Sequence, residues 1–161
     1  MKDFTFKDIL TISNEEQAKI LRTKSEKVEI PLSKENESLL NAMCKYVRTC
    51  DGAIGLSAVQ VGELKRMCIV QTRDGKYLKL VNPKIIGHGT KQTLENEGCL
   101  SVLDFEDGLV PRWVTIKVLA YDATLKKTTI VEYSGINAEI IQHEIDHMDG
   151  ILFIDKVIKS K

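Results

Sequence analysis

Two histidines four residues apart, with a glutamate directly after the first, are the side chains here best suited to chemistry. They are His143, Glu144 and His147, within Gln142-His143-Glu144-Ile145-Asp146-His147. On a helix this spacing puts both imidazoles on one face, a turn apart, where they can grip a single ion. The glutamate then lies beside the ion without ligating it, placed to take a proton from a water the ion activates. The run before it supports a helix, because Ile136, Ile140, His143 and His147 recur at three- and four-residue intervals. Gly135 precedes that helix and Gly150 follows it as a stop. The competing reading is a surface helix carrying H-E-x-x-H by chance. With only three histidines in the chain, the metal reading is the stronger.

A helix of this kind supplies two ligands, and a catalytic zinc-like site usually takes three plus an open position. Only eleven residues follow Gly150, and Asp155 is their one ligand candidate. The third ligand is therefore expected upstream, among His88 and the cysteines Cys44, Cys50, Cys68 and Cys99.

The rest of the chain has to position these groups. Its 161 residues fit one domain, 1–161, with room for a core that needs no staples. Lysine and arginine number 23 against 23 aspartates and glutamates, so the charge total points to neither nucleic acid nor an anionic membrane. No segment approaches membrane-spanning length, and the N-terminus has no long apolar stretch. The cysteines are scattered without a C-x-x-C pair, which predicts reduced thiols in a cytoplasmic setting.

In chain order, Asn14 can cap a short helix from Glu15 to Leu21. Ser33 can cap a longer one reaching about Thr49, with Leu39, Leu40, Met43 and Val47 on one side. Cys44 falls on or beside that apolar stripe and reads as a core thiol rather than a ligand; Cys50, at the helix exit, reads as a surface or core residue rather than a chemical one. Residues 51–62 are rich in small side chains, with Gln60 isolated among apolar neighbours. Such an amide can donate to an oxygen that becomes negative during reaction; a satisfied core glutamine in a glycine-rich turn is the plainer alternative. From Met67 to Tyr133 the pattern is of strands: Met67–Val70, Leu78–Val81 and Trp113–Ala120. Asp74-Gly75 signals a hairpin, Asn82-Pro83 marks the end of its second strand, and Thr128–Tyr133 pairs with the segment from Trp113 to Tyr121. Cys68 reads as core and His88 as a polar turn residue. The fold class is α+β, antiparallel strands packed around a C-terminal metal-binding helix.

Within the strand region lies Glu97-Gly98-Cys99-Leu100-Ser101. Cys99 differs from the other three cysteines in having a carboxylate, a glycine and a serine around it. As a thiolate it would complete a Cys/His/His set with an open fourth position.

Three stretches together resemble the peptide deformylase family, which carries G-x-G-x-A-A-x-Q, E-G-C-L-S and Q-H-E-x-D-H in this order. They appear here as Ala53–Gln60, Glu97–Ser101 and Gln142–His147. Val110-Pro111-Arg112 and the trailing Gly150–Asp155 are similar to the family too, so the likeness spans nearly the whole chain. The resemblance implies removal of formyl from N-terminal formyl-methionine of newly made peptides, with release of formate. It implies that Cys99, His143 and His147 bind one divalent metal, Fe(II) with Zn(II) or Ni(II) as substitutes. Glu144 would act as base and then acid, and Gln60 with the Leu100 N–H would stabilise the oxyanion. Ile54, Gly55, Ile136 and Ile140 are the expected substrate wall, though they could equally be plain core. Glu97, Asp146 and Arg112 are expected behind the ligands, Asp146 and Arg112 as an ion pair or, alternatively, on the surface. Nascent formylated chains as substrate imply transient contact with the ribosome; no membrane or direct nucleic-acid site is expected.

The chain departs from the family pattern at several places. Ala53 and Ser57 replace a glycine and an alanine, and Val59 and Leu103 stand where proline is common. Glu106 stands where many members have arginine, and Glu139 where an apolar residue often lines the pocket. These changes touch substrate preference and efficiency rather than the ligands, the base or the amide. They leave two other readings to weigh: a related amidase acting on another N-acyl substrate, and a binding protein that has lost turnover.

Overall fold

The computed structural model describes residues 2–105 and 108–158; Glu106, one of the departures noted above, lies outside them. Helix α1 runs Glu15–Leu21 and helix α2 Lys34–Thr49. Their starts follow from the capping chemistry, since Asn14 accepts from the Gln17 N–H and Ser33 from the Asn36 N–H. Strands β1 (Gly55–Ser57), β2 (Met67–Gln71), β3 (Tyr77–His88), β4 (Gln92–Asn96), β5 (Leu109–Trp113), β6 (Thr115–Asp122) and β7 (Lys127–Ser134) follow, and helix α3 is Ile136–Met148. Five strands form an antiparallel sheet in the order β1-β2-β3-β6-β7, while β4 and β5 pair as a separate ribbon. The architecture is α+β.

Strand β2 reads as a continuous apolar run because both its faces are covered. Alternate residues point to opposite sides. Met67 and Ile69, with Val81 of β3, pack into a core that contains Leu40, Met43, Cys44 and Val47 of α2. Cys68 and Val70, with Leu80, pack against Ala138, Ile141, Ile145 and Met148 of α3. The sheet is therefore held between α2 and α3, and α3 is pressed onto the face next to β1.

Three readings of the sequence need correction. Asn82-Pro83 does not end β3, which continues to His88. Asn82 takes a positive φ of 51° and the register slips between Val81 and Lys84, so a bulge absorbs the proline instead of terminating the strand. The Asn82 side chain fixes this bend by exchanging two hydrogen bonds with the Val28 backbone, each 2.8 Å. Secondly, His88 ends a strand rather than forming a turn, and stacks on the Trp113 ring at 3.7 Å. Thirdly, the stretch from Trp113 to Ala120 is not one strand: Trp113 closes β5 and Thr115 opens β6. The break matters, because β5 leaves the main sheet to pair with β4.

Candidate active site

The β4–β5 ribbon carries the Glu97–Ser101 segment to the side of α3. Glu97 immediately follows β4, and the chain then turns tightly, the Val102 N–H donating to the Cys99 carbonyl at 3.0 Å. The N-terminal segment straps this turn to the Gln60 loop: Leu10 N–H donates to the Gln60 carbonyl (2.8 Å) and Ile12 N–H to the Ser101 carbonyl (3.0 Å). Helix α3 is pinned to β5 by Gln142, whose amide accepts from Trp113 N–H and donates to Trp113 C=O, both at 2.9 Å. At its far end, Gly150 takes φ 73° and a Cβ there would collide with the Arg22 carbonyl, so glycine stops the helix where the chain passes close.

These constraints bring Cys99, His143 and His147 together. One donor atom from each lies within 4.8 Å of the others. The Cys99 Sγ is 3.3 Å from His147 Nε2. His143 directs Nδ1 at the Glu97 carboxylate, 2.8 Å away, which leaves its other nitrogen for the cluster. Of the other upstream candidates, Cys44 and Cys68 are buried in the two halves of the core, Cys50 lies beside Tyr46, and His88 is on Trp113.

The electrostatics suit a cation. Burial disfavours a charge on His143, yet hydrogen bonds with Cys99 and Glu97 and the field of Glu144 outweigh it and push its pKa well up. A setting that favours a proton at His143 favours a metal ion at the same place. Burial, helped by the positive charges of His143 and Arg112, pushes His147 well down, into the neutral form that ligates. Thiolate with two imidazoles is a donor set that Fe, Zn, Ni and Co all accept.

Behind this cluster runs a buried ionic chain. Arg112 is 2% exposed and grips Glu97 through Nε (2.5 Å) and Nη2 (2.8 Å). Its Nη1 donates to Asp146 at 2.6 Å, and Lys156 reaches the same carboxylate at 2.9 Å. The Arg112–Asp146 pair is thus interior, not on the surface. Burial works against the charge on Glu97, but bonds from Arg112 and His143 prevail and hold its pKa down at about 2.

Glu144 is also buried, 3% exposed, in the gap between α3 and β1. Ser57 Oγ lies 2.7 Å from its Oε2 and 2.9 Å from its backbone carbonyl oxygen. Gly55 lies under the same carboxylate; a Cβ there would run into it. Burial pushes the Glu144 carboxyl up, against the opposing pull of His143 and of the Ser57 hydrogen bond. A carboxyl raised from its usual range is suited to exchange protons near neutral pH.

Gln60 is 2% exposed and its amide direction is fixed at both ends. Oε1 accepts from the Ser57 N–H at 2.9 Å, so Nε2 faces the site, 3.1 Å from Ser101 Oγ and 3.7 Å from Cys99 Sγ. Leu100 lines the same cleft, of about 560 Å³, as do Ile54, Gly55, Ile136 and Ile140. Glu139, on α3 one turn before His143, also lines it. The sequence reading missed three participants. Ser57 was noted only as a departure, Phe153 lies along the His143 ring at 6.1 Å, and Lys156 extends the ionic chain. For Ser57 the departure was itself the signal; no local pattern marks the other two.

Comparison with known proteins now adds a second line. The family model described as polypeptide deformylase matches residues 6–161. A peptide deformylase of Halothermothrix orenii is 40% identical over 141 residues, covering 87% of this chain and 88% of that protein. The crystal structure of a probable peptide deformylase from Synechococcus phage S-SSM7 superposes with a TM-score of 0.79 at 40% identity, covering 92% of this chain and 97% of that one. A class I type b peptide deformylase from Acinetobacter baumannii with Met-Ala-Ser bound gives 0.80 at 29% identity, with 92% and 96% covered.

Proposed function

Because the chain belongs to the peptide deformylase family, metallohydrolases that remove formyl from N-formyl-methionine peptides, we propose how its own residues divide that work. The observation that carries the reading is the convergence of Cys99, His143 and His147 donor atoms within 4.8 Å, beside a buried Glu144. Cys99, His143 and His147 hold the metal. A divalent ion held there would supply Lewis acidity, which lowers the pKa of a bound water toward 7 and polarises a carbonyl.

Everything else falls to the protein. Glu144 takes the proton of the attacking water and later gives it to the leaving amine nitrogen, so the carboxylate is regenerated as formate departs. The Gln60 Nε2–H, aimed into the site by the Ser57 N–H on its carbonyl side, donates to the formyl oxygen as it becomes negative, together with the Leu100 N–H. Glu97 orients His143 and is itself held by Arg112, which also ties down Asp146 on the helix. Ile54, Ile136 and Ile140 form the apolar wall that receives the methionine side chain, and Gly55 leaves room beside Glu144.

We further assign the working metal as Fe(II), replaceable by Zn(II) or Ni(II), on the donor set and the family likeness. Residues 1–161 act as one catalytic domain. Its peptide substrates place the protein in the cytoplasm, in transient contact with ribosomes that expose formylated nascent chains. Base, amide and all three ligating groups are present among the described residues, which argues against binding without turnover. Metal analysis of parent, Cys99→Ser, His143→Ala and His147→Ala protein tests the ligand assignment. One ion per chain in the parent and a loss in each variant is expected; full occupancy in His143→Ala would refute it.

A further inference from the structure

We propose that Ser57 is a positioning residue for proton transfer: it reserves one carboxylate oxygen of Glu144 and leaves the other to exchange protons in the cleft. This rests on Glu144 being the base, as assigned above. The Ser57 hydroxyl is wholly buried and has two acceptors in reach on the same residue, Glu144 Oε2 at 2.7 Å and the Glu144 carbonyl at 2.9 Å. A hydroxyl has one proton to donate. A bond to an ionised oxygen is the shorter and stronger kind, so that proton goes to Oε2.

The two oxygens of Glu144 are therefore unlike. Oε2 is turned into the interior between β1 and α3 and already has a donor. Oε1 lies over Gly55, where the missing Cβ keeps a space that any side chain would fill. Gly55 and Glu144 both line the cleft, and no described side chain donates to Oε1. When an O–H bond of the attacking water breaks, the proton goes to Oε1, whose lone pairs are free. When the amine leaves, the Oε1–H bond breaks and the nitrogen takes the same proton. Throughout, Ser57 keeps its own proton on Oε2, so neither transfer requires the carboxyl group to rotate.

Without the hydroxyl, little holds that rotation. The last torsion of a glutamate is broad and roughly two-fold, so between the two transfers the group can turn the protonated oxygen away from the cleft and the leaving nitrogen. The motif this chain resembles has alanine at this position, so serine here adds orientation to a reaction that does not depend on it absolutely. A partial loss on removal is the expected size of effect.

The test is steady-state formate release from formyl-Met-Ala-Ser by parent, Ser57→Ala, Ser57→Thr and Ser57→Val protein at equal metal occupancy, with Glu144→Ala beside them. Threonine and valine have the same shape, and only threonine keeps the hydroxyl. Alanine and valine should lower kcat about tenfold, in keeping with one lost bond to a charged group, with KM within about twofold of the parent. Threonine should recover most of that loss. Parental kcat in Ser57→Ala, equal losses in the threonine and valine variants, or a loss expressed only in KM would overturn the proposal. Parental turnover by Glu144→Ala would instead remove the assignment on which it stands.

Discussion

Replacing Arg112 with methionine, which is similar in reach but carries no charge, should destabilise the protein and change how it responds to acid. Arg112 makes three short bonds to two carboxylates while itself only 2% exposed. Removing one partner of a buried ion pair costs about 3–5 kcal/mol. His143 still faces Glu97 and Lys156 still faces Asp146, so the lower end applies, about 3 kcal/mol. The Glu97 carboxyl points the same way. Its fall from 4.5 to about 2 corresponds to roughly 3 kcal/mol at about 1.4 per pH unit, which Arg112 and His143 supply together, so it is an upper bound on the Arg112 share. Because the folded-state pKa is depressed, this stability is fully present above about 4.5 and is lost as pH falls toward 2. The variant should therefore unfold roughly 5–12 °C below the parent at pH 7, and the gap should close as both are taken to acid. Thermal and urea unfolding in the presence of a chelator, at pH 7 and pH 3, would measure this. A variant within about 0.5 kcal/mol of the parent, the ordinary range of a surface change, would refute the reasoning. So would an acid dependence that matches the parent's.

Two other substitutions probe the surroundings of Glu144 and the cleft. Gly55→Ala places a methyl where the Glu144 carboxylate now lies. Since small displacements of a reacting group can cost 10²-fold, kcat should fall by about that factor with the metal retained; parental kcat would show the carboxylate has room to spare. Glu139 has its pKa raised to about 7, first by burial and then by the fields of Glu95 and Glu97. A raised carboxyl means that ionisation costs the folded state nothing below about 4.5 and progressively more up to about 7. Glu139→Gln should accordingly raise the unfolding temperature at pH 8 and leave it unchanged at pH 4; equal shifts at both would contradict the assignment.

Much of this arrangement can be read from local pattern. The capped helices start where Asn14 and Ser33 place them, because capping is a bond between residues three apart. Helix α3, and the placing of His143 and His147 a turn apart on it, follow from the spacing and periodicity of the sequence. Where reading failed, a distant partner decided the outcome. Proline at residue 83 would end most strands, but Asn82 bonds to Val28 and turns the interruption into a bulge. Trp113 and Thr115 belong to different sheets, although no break in β-propensity separates them. In the site, the type of each residue was legible but its bond was not. Glu97 was expected somewhere behind the ligands; that it joins His143 to Arg112 depends on how β4 and β5 pair. Ser57 was visible as an unusual residue, and only the packing of β1 on α3 shows what its hydroxyl does.

In the proposed reaction Glu144 moves the protons at the Cys99/His143/His147 centre. Formate release from formyl-Met-Ala-Ser should be compared for the parent and Glu144→Ala, each prepared anaerobically with one Fe(II) per chain. Rapid release by the parent, and a rate at least about 10²-fold lower in the variant, is the predicted result. Comparable rates from the two, or no formate from a parent that holds its metal, would contradict it.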